Sequence, residues 1–247
     1  VLNGLATGMA ESFNRYYSGD VFISPAIHKN TIEQTDAIAN VVTTLPTFKD
    51  KSVRFTGQAI VEYEYRKIIR TTDVPESVSG TLVGIDPVSE DNVTKLSNNV
   101  IEGSFLTPQD ADGLLLGKDL LEQYSNTTFP GQKKLTTVKI GSRVRVTTNG
   151  VQKEFVVKGI IGAKNQTVDG RIYIIDTTAR ELLGRSNLHA NEIAVRLFPN
   201  ASADDAQKYI TSNLGNNHDV EVQTSAETIP GGVADIRKTF NLLGNMV

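Results

Sequence analysis

The chain has 247 residues, 39% of them hydrophobic and 21% charged, which is enough apolar content for one large folded domain or two small ones and excludes general disorder. A net charge of −3 argues against nucleic acid as the main partner, because neutralising phosphates takes a basic surface. Cysteine is absent, which excludes disulfides, thiolate metal sites and cysteine nucleophiles together, and no run of about 18 apolar residues is present to span a bilayer.

In chain order, Leu2, Leu5, Met9, Phe13 and Tyr16 are spaced by threes and fours and predict one apolar face of a helix. Gly4, Gly8 and Ser12 add small residues at four-residue spacing, a pattern that lets helices approach closely. Residues 20–24 read as a strand closed by Pro25. Asn30 with Glu33 forms a capping-box arrangement ahead of a helix carrying Ile32, Thr35, Ile38, Val42 and Leu45, which ends at Pro46. Residues 53–66 alternate as a long strand, or as a hairpin around Gly57.

The middle of the chain has a different texture. Residues 81–86 predict a strand leaving through Pro87, a short helix follows over 90–96, and Leu114-Leu115-Leu116 reads as a buried strand ending at Gly117. Residues 139–146 and 153–157 flank Asn149-Gly150, the strongest hairpin signal in the chain. Residues 171–175 form a further strand before a short helix ending at Gly184. Beyond it come a strand at 192–197, a helix at 203–214 stopped by Gly215, and a strand at 219–223. Val233, Ile236, Phe240, Leu243 and Val247 then alternate threes and fours as a heptad seam. Two β-α-β units separated by β-rich material predict an α+β fold, a split sandwich with a barrel-like module inserted. Neither terminal helix has a capped outer end, so both are expected to continue into a longer chain.

Catalytic patterns are decoys. Only three residues separate Gly113 from Gly117, and Asp119 follows Lys118 where a phosphate loop needs Ser or Thr, so a strand-end glycine is the better reading. His28, His189 and His218 lie far apart with no second histidine two to four residues on, which disfavours a zinc site. Asp110, Asp112 and Gly113 match part of a calcium loop, but leucines fill its remaining ligand positions. Asp204 and Asp205 sit where they complement a helix dipole. Asn-x-Ser/Thr sequons begin at Asn92, Asn126, Asn165 and Asn200 and lean toward a surface outside the cytoplasm.

Several segments in series carry a family likeness. Residues 5–25, Val83-Gly84-Ile85-Asp86-Pro87, residues 101–106, 114–121, Ile140-Gly141 with 155–161, Tyr173-Ile174 and Asn191-Glu192-Ile193 occur in an order that resembles the extracytoplasmic core domain of ABC-transporter permeases of the MacB/LolC/FtsX type. Ser104 and Ser142 depart from the family's usual Arg and Asp. The resemblance implies a porter-like subdomain made from 1–78 and 186–247 and an inserted β-rich Sabre subdomain over 79–185. It also implies a location on the extracytoplasmic side of the cell membrane, spans on either side of the segment, a second permease copy and a separate cytoplasmic ATPase. No cofactor, metal or catalytic residue is expected in the domain. The expected function is mechanical coupling of ATP hydrolysis to extrusion of a substrate, with Leu2, Leu5, Met9, Ile236, Phe240 and Leu243 as the packing seam of the terminal stalk helices. The alternatives are a regulator of a cell-wall enzyme in the manner of FtsX and a free extracellular binding module.

Overall fold

The computed structural model describes residues 14–67, 74–124, 133–185, 187–215 and 219–228. A π-helical turn, Asn14–Ser18, leads into strand β1 (Val21–Pro25), helix α1 (Thr35–Thr43) and the long strand β2 (Phe48–Tyr63). Strand β3 (Glu76–Ile85), helix α2 (Pro87–Thr94), β4 (Val100–Gly103) and β5 (Gly113–Gly117) follow. Next come β6 (Arg143–Thr148), β7 (Val151–Ile161), α3 (Gln166–Asp169), β8 (Arg171–Ile175) and α4 (Asp176–Leu182). The last described elements are β9 (Glu192–Leu197), α5 (Ala203–Asn213) and β10 (Val220–Thr224). No helix among the described residues is long and apolar enough to cross a membrane.

Strands β10, β1, β9 and the first half of β2 lie side by side, every neighbour antiparallel, in the order of a split β-α-β sandwich. Side chains alternate across this sheet. Val21, Ile23, Ile193, Val195 and Leu197 face α1 and α5, burying Ile38, Val42, Ala206 and Ile210. Phe22 and Ala194 face the opposite side and meet Val93 of α2. The sheet is therefore covered on both sides, and the second cover comes from the middle of the chain.

The barrel closes through β2 itself. Beyond Arg54 this strand leaves β9 and pairs with β3 from Phe55↔Gly84 to Tyr63↔Glu76, and with β6 from Ile60↔Thr147 to Tyr63↔Val144. The pairs β3–β8, β8–β5, β5–β7 and β7–β6 complete a closed six-stranded ring, with β4 added outside on β7. Val61, Leu82, Leu114, Leu116, Val144, Val146, Phe155, Val157, Ile172 and Ile174 fill its interior. Leu115 points outward into a second cluster with Val83, Ile85, Val168 and Tyr173, which explains an unbroken leucine run in a strand buried on both faces.

Two local expectations need correction, and one open alternative is decided in favour of the long strand. The helix expected from Asn30 starts at Thr35, and its N-cap residue Gln34 makes no side-chain cap bond. Glu33 instead takes Lys29 at 3.1 Å, and Ile32 is drawn into a β-bridge with Ala190. Gly57 is no hairpin turn: β2 runs straight through it, and the Leu183 side chain occupies the space where a Cβ would stand, 2.4 Å away. Helix α2 begins at Pro87 rather than residue 90, because Asp86 accepts a bond from the Ser89 N–H at 2.7 Å and proline suits the first helical position. The Asn149-Gly150 turn forms as expected, with φ of +49° and +80°, the mirror-image turn that matches strand twist.

Candidate functional site: a buried ion-pair hub

Where β2 passes from sandwich to barrel, its Arg54 side chain is almost fully buried. A charge there is tolerated only if it is paired and hydrogen-bonded. Helix α2, lying across the back of the sandwich sheet, supplies the first partner. Glu90 takes Arg54 Nε at 2.8 Å on Oε2 and Nη2 at 2.9 Å on Oε1. The same carboxylate accepts bonds from Ser52 at 2.6 Å and Thr94 at 2.8 Å, so both of its oxygens are doubly occupied.

Glu192, directly across the ladder from Arg54 at the start of β9, supplies the second partner. It accepts Arg54 Nη1 at 3.1 Å and a fork from Arg171 at the start of β8, at 3.0 and 2.7 Å. Two guanidinium groups and two carboxylates thus cancel inside one contiguous network. Tyr17, from the entry turn Asn14–Ser18, closes it. Its carbonyl accepts Arg54 Nη2 at 2.7 Å, and its hydroxyl lies 3.2 Å from Arg171 Nη2 and 3.3 Å from Glu192 Oε1. Its ring sits 5.4 Å from the Arg54 guanidinium and 4.7 Å from that of Arg171.

The electrostatics follow from this geometry. Burial alone would raise the Glu192 pKa, but the charges and hydrogen bonds of Arg171 and Arg54 override it and hold the carboxyl at about 2. Burial, reinforced by Glu192, pushes the Tyr17 phenol up to about 12. Burial works against the charge on both guanidinium groups, and the facing carboxylates outweigh it, so each is held more firmly protonated than an ordinary arginine. Neither Glu192 nor Tyr17 exchanges a proton near neutrality. The arrangement holds the entry turn, α2, β2, β8 and β9 together by charge.

The sequence reading did not single out these residues, although a signal was present. Arg54 interrupts the apolar pair Val53 and Phe55, Arg171 opens an otherwise uncharged strand and Glu192 opens a mostly apolar one, so each charge stands among apolar neighbours where burial would demand a partner. The six seam residues, Leu2, Leu5, Met9, Ile236, Phe240 and Leu243, lie outside the described residues.

The decoys have structural duties. Gly117 ends β5 with its Cα against the α3 turn, where a Cβ would come 2.1 Å from the Asp169 carbonyl oxygen. Asp110 closes a turn onto the Thr107 N–H at 2.6 Å and pairs with Lys158, while His28 lies 3.6 Å from Asp219. Among the described residues no group of three or more histidines and carboxylates is placed to hold a metal ion. Of the sequons, Asn165 is buried as the α3 cap, accepting from the Thr167 N–H at 3.0 Å, and Asn92 donates to Asp50 at 2.8 Å. Asn200 occupies an exposed turn with φ of +67°, and Asn126 lies outside the described residues.

Comparison with known proteins agrees with this architecture. The chain is similar in structure to the periplasmic region of MacB from Actinobacillus actinomycetemcomitans, with a TM-score of 0.57 and 15% identity over 95% of this chain and 98% of that one. It is also similar to the extracellular domain of the noncanonic ABC-type transporter YknZ from Gram-positive bacteria, with a TM-score of 0.50 and 16% identity over 83% of this chain and 98% of that one. No curated protein matches it by sequence. The family model of the MacB-like periplasmic core domain matches residues 1–213, and the chain belongs to that family.

Proposed function

We propose that this extracytoplasmic domain of a MacB-like ABC transporter permease is a mechanical relay, carrying movement driven by a cytoplasmic ATPase outward to extrude a substrate. The observation that carries the reading is the hub. One charge network ties the entry turn, both β-units and the helix wedged between them, which suits a part that must move as a body when pushed from one end. Two units divide the work in this reading. The sandwich, drawn from 1–78 and 186–247, receives the movement, and the inserted unit over 79–185 presents the distal surface while borrowing the second half of β2. The working particle contains a second permease copy. The terminal segments act as stalk helices, with Leu2, Leu5, Met9, Ile236, Phe240 and Leu243 as the seam through which they bear on one another.

The test uses the full-length permease with its ATPase, carrying a spin label at the exposed barrel residue Gln152 and a second label in the membrane-spanning part. Replacing Leu5 and Phe240 by Asp should leave ATP hydrolysis running while the ATP-driven displacement of the Gln152 label disappears. Displacement equal to that of the unaltered protein would refute the lever.

A further inference from the structure

We propose that Tyr17 is the latch that passes movement of the entering chain to the sandwich and the barrel together; the proposal rests on the relay reading above. The residues just beyond it fasten to the sandwich. The Asp20 N–H donates to the Val195 carbonyl at 2.8 Å, and its carboxylate accepts Arg196 Nη1 at 3.0 Å and the Leu197 N–H at 2.8 Å, all on β9. From Val21 the chain is β1, a central strand of that same sheet. A pull transmitted through Asp20 and β1 therefore reaches the sandwich first, and the barrel through β9 by way of β2, of the Glu192–Arg171 fork and of the Arg196 bond to the Val93 carbonyl at 2.8 Å.

Tyr17 supplies a line that runs straight from the entry turn without passing through β9. Its hydroxyl and ring meet Arg171 on β8, a barrel strand two places from β2 in the closed ring. Its carbonyl holds Arg54 at the point where β2 changes sheets, and its ring packs at a tilt of 38° against Phe22 of β1, with 5.1 Å between ring centres. A single side chain and its carbonyl thus contact sandwich, crossover strand and barrel. The partners are buried and mutually saturated, so a shift of the turn cannot be absorbed by one guanidinium group swinging into water. Networks with discrete packed arrangements transmit displacement in this way.

These 247 residues contain no cysteine, so cysteines introduced among them are the domain's sole labelling sites. Three positions are labelled pairwise in the full-length permease with its ATPase: the membrane-spanning part, exposed Gln152 in the barrel and exposed Lys208 on α5 of the sandwich. In the unaltered protein, ATP should shift both distances to the membrane part while the Gln152–Lys208 distance stays fixed. In Tyr17→Leu the Gln152–Lys208 distribution should broaden. The ATP-driven shift of Gln152 should fall by about twofold or more, the lower end of what coupling residues carry. Tyr17→Phe keeps the ring and carbonyl and should retain most of the shift. Tyr17→Met reads the same contrast as Tyr17→Leu if the latter does not fold. A Gln152 shift in Tyr17→Leu or Tyr17→Met equal to that of the unaltered protein, even with a lowered melting temperature, overturns the latch and leaves Tyr17 a stabilising residue only. No ATP-driven shift in the unaltered protein overturns the relay reading instead.

Discussion

Changing Glu192 to Gln tests whether the hub is a saturated charge network or a set of incidental contacts. The substitution keeps size and shape, so no cavity forms and the effect is electrostatic. It removes one of two carboxylates facing two buried guanidinium groups, leaving Glu90 on Arg54, no carboxylate bonded to Arg171 and a net positive charge in the network. Breaking one partner out of a buried ion pair costs about 3–5 kcal/mol. The pKa gives a second route to the magnitude. A fall from 4.5 to about 2, at about 1.4 kcal/mol per pH unit, corresponds to about 3 kcal/mol of stability. Because the folded-state pKa is depressed, that stability is fully present above the unfolded-state value near 4.5 and is lost as pH falls through about 2. Urea unfolding followed by far-ultraviolet circular dichroism suits a chain without tryptophan. Glu192→Gln should lose about 3 kcal/mol at pH 7, a large share of the roughly 5–15 kcal/mol typical of a folded domain. The gap to the unaltered protein should narrow steadily between pH 5 and pH 2. A loss below about 1 kcal/mol at pH 7, in the range of exposed ion pairs, or a gap that does not change with pH, would refute the assignment of Glu192 as the charged partner of both arginines.

Two further outcomes follow from the same packing. Gly117→Ala places a Cβ 2.1 Å from a backbone oxygen and should cost at least the 1–3 kcal/mol or so of overpacking, whereas Gly150→Ala meets no atom within 4 Å and should cost only the roughly 1–2 kcal/mol of its left-handed φ; urea unfolding ranks the two. Ser202→Ala removes the acceptor for the Asp205 N–H at 3.2 Å and should destabilise the start of α5 by about 1 kcal/mol, visible as faster amide exchange at Asp205.

Most strands were legible because their signals are local. Alternation in 192–197, the apolar block at 114–116 and the Asn149-Gly150 turn needed no knowledge of distant partners. The failures share the opposite property. Asn30 and Glu33 formed a sound local cap pattern, but Lys29 took Glu33 and a segment 158 positions away, at Ala190, captured Ile32. Gly57 was ambiguous locally and was decided by Leu183. Closure of the barrel depends on Ile60 meeting Thr147, a pairing 87 positions apart on a strand that β7 holds from its other edge, which no window around either residue records. The hub was hidden for a related reason. Arg54 sits inside β2, Glu90 on helix α2, and Arg171 and Glu192 at strand starts, and nothing local to any of them shows that these four segments converge.

A buried network of this kind is weak evidence for stability, since apolar packing of the same volume serves as well or better. Its specificity is a different matter. Strand β2 is sixteen residues long and belongs to two sheets, and little in its alternating pattern says where it should leave one and join the other. A one-residue slip would turn Arg54 to the other face, strand its charge in the apolar cluster of either unit and leave Glu90 and Glu192 facing each other. The last ladder pair with β9 is Arg54↔Glu192 and the first with β3 is Phe55↔Gly84, so the charges stand at the crossover itself. The same residues that fix this register also hold Tyr17 and α2. The entry turn and the crossover between the two units are therefore held by one network, and in the proposed relay a force applied to the turn acts on that joint as well as on β9.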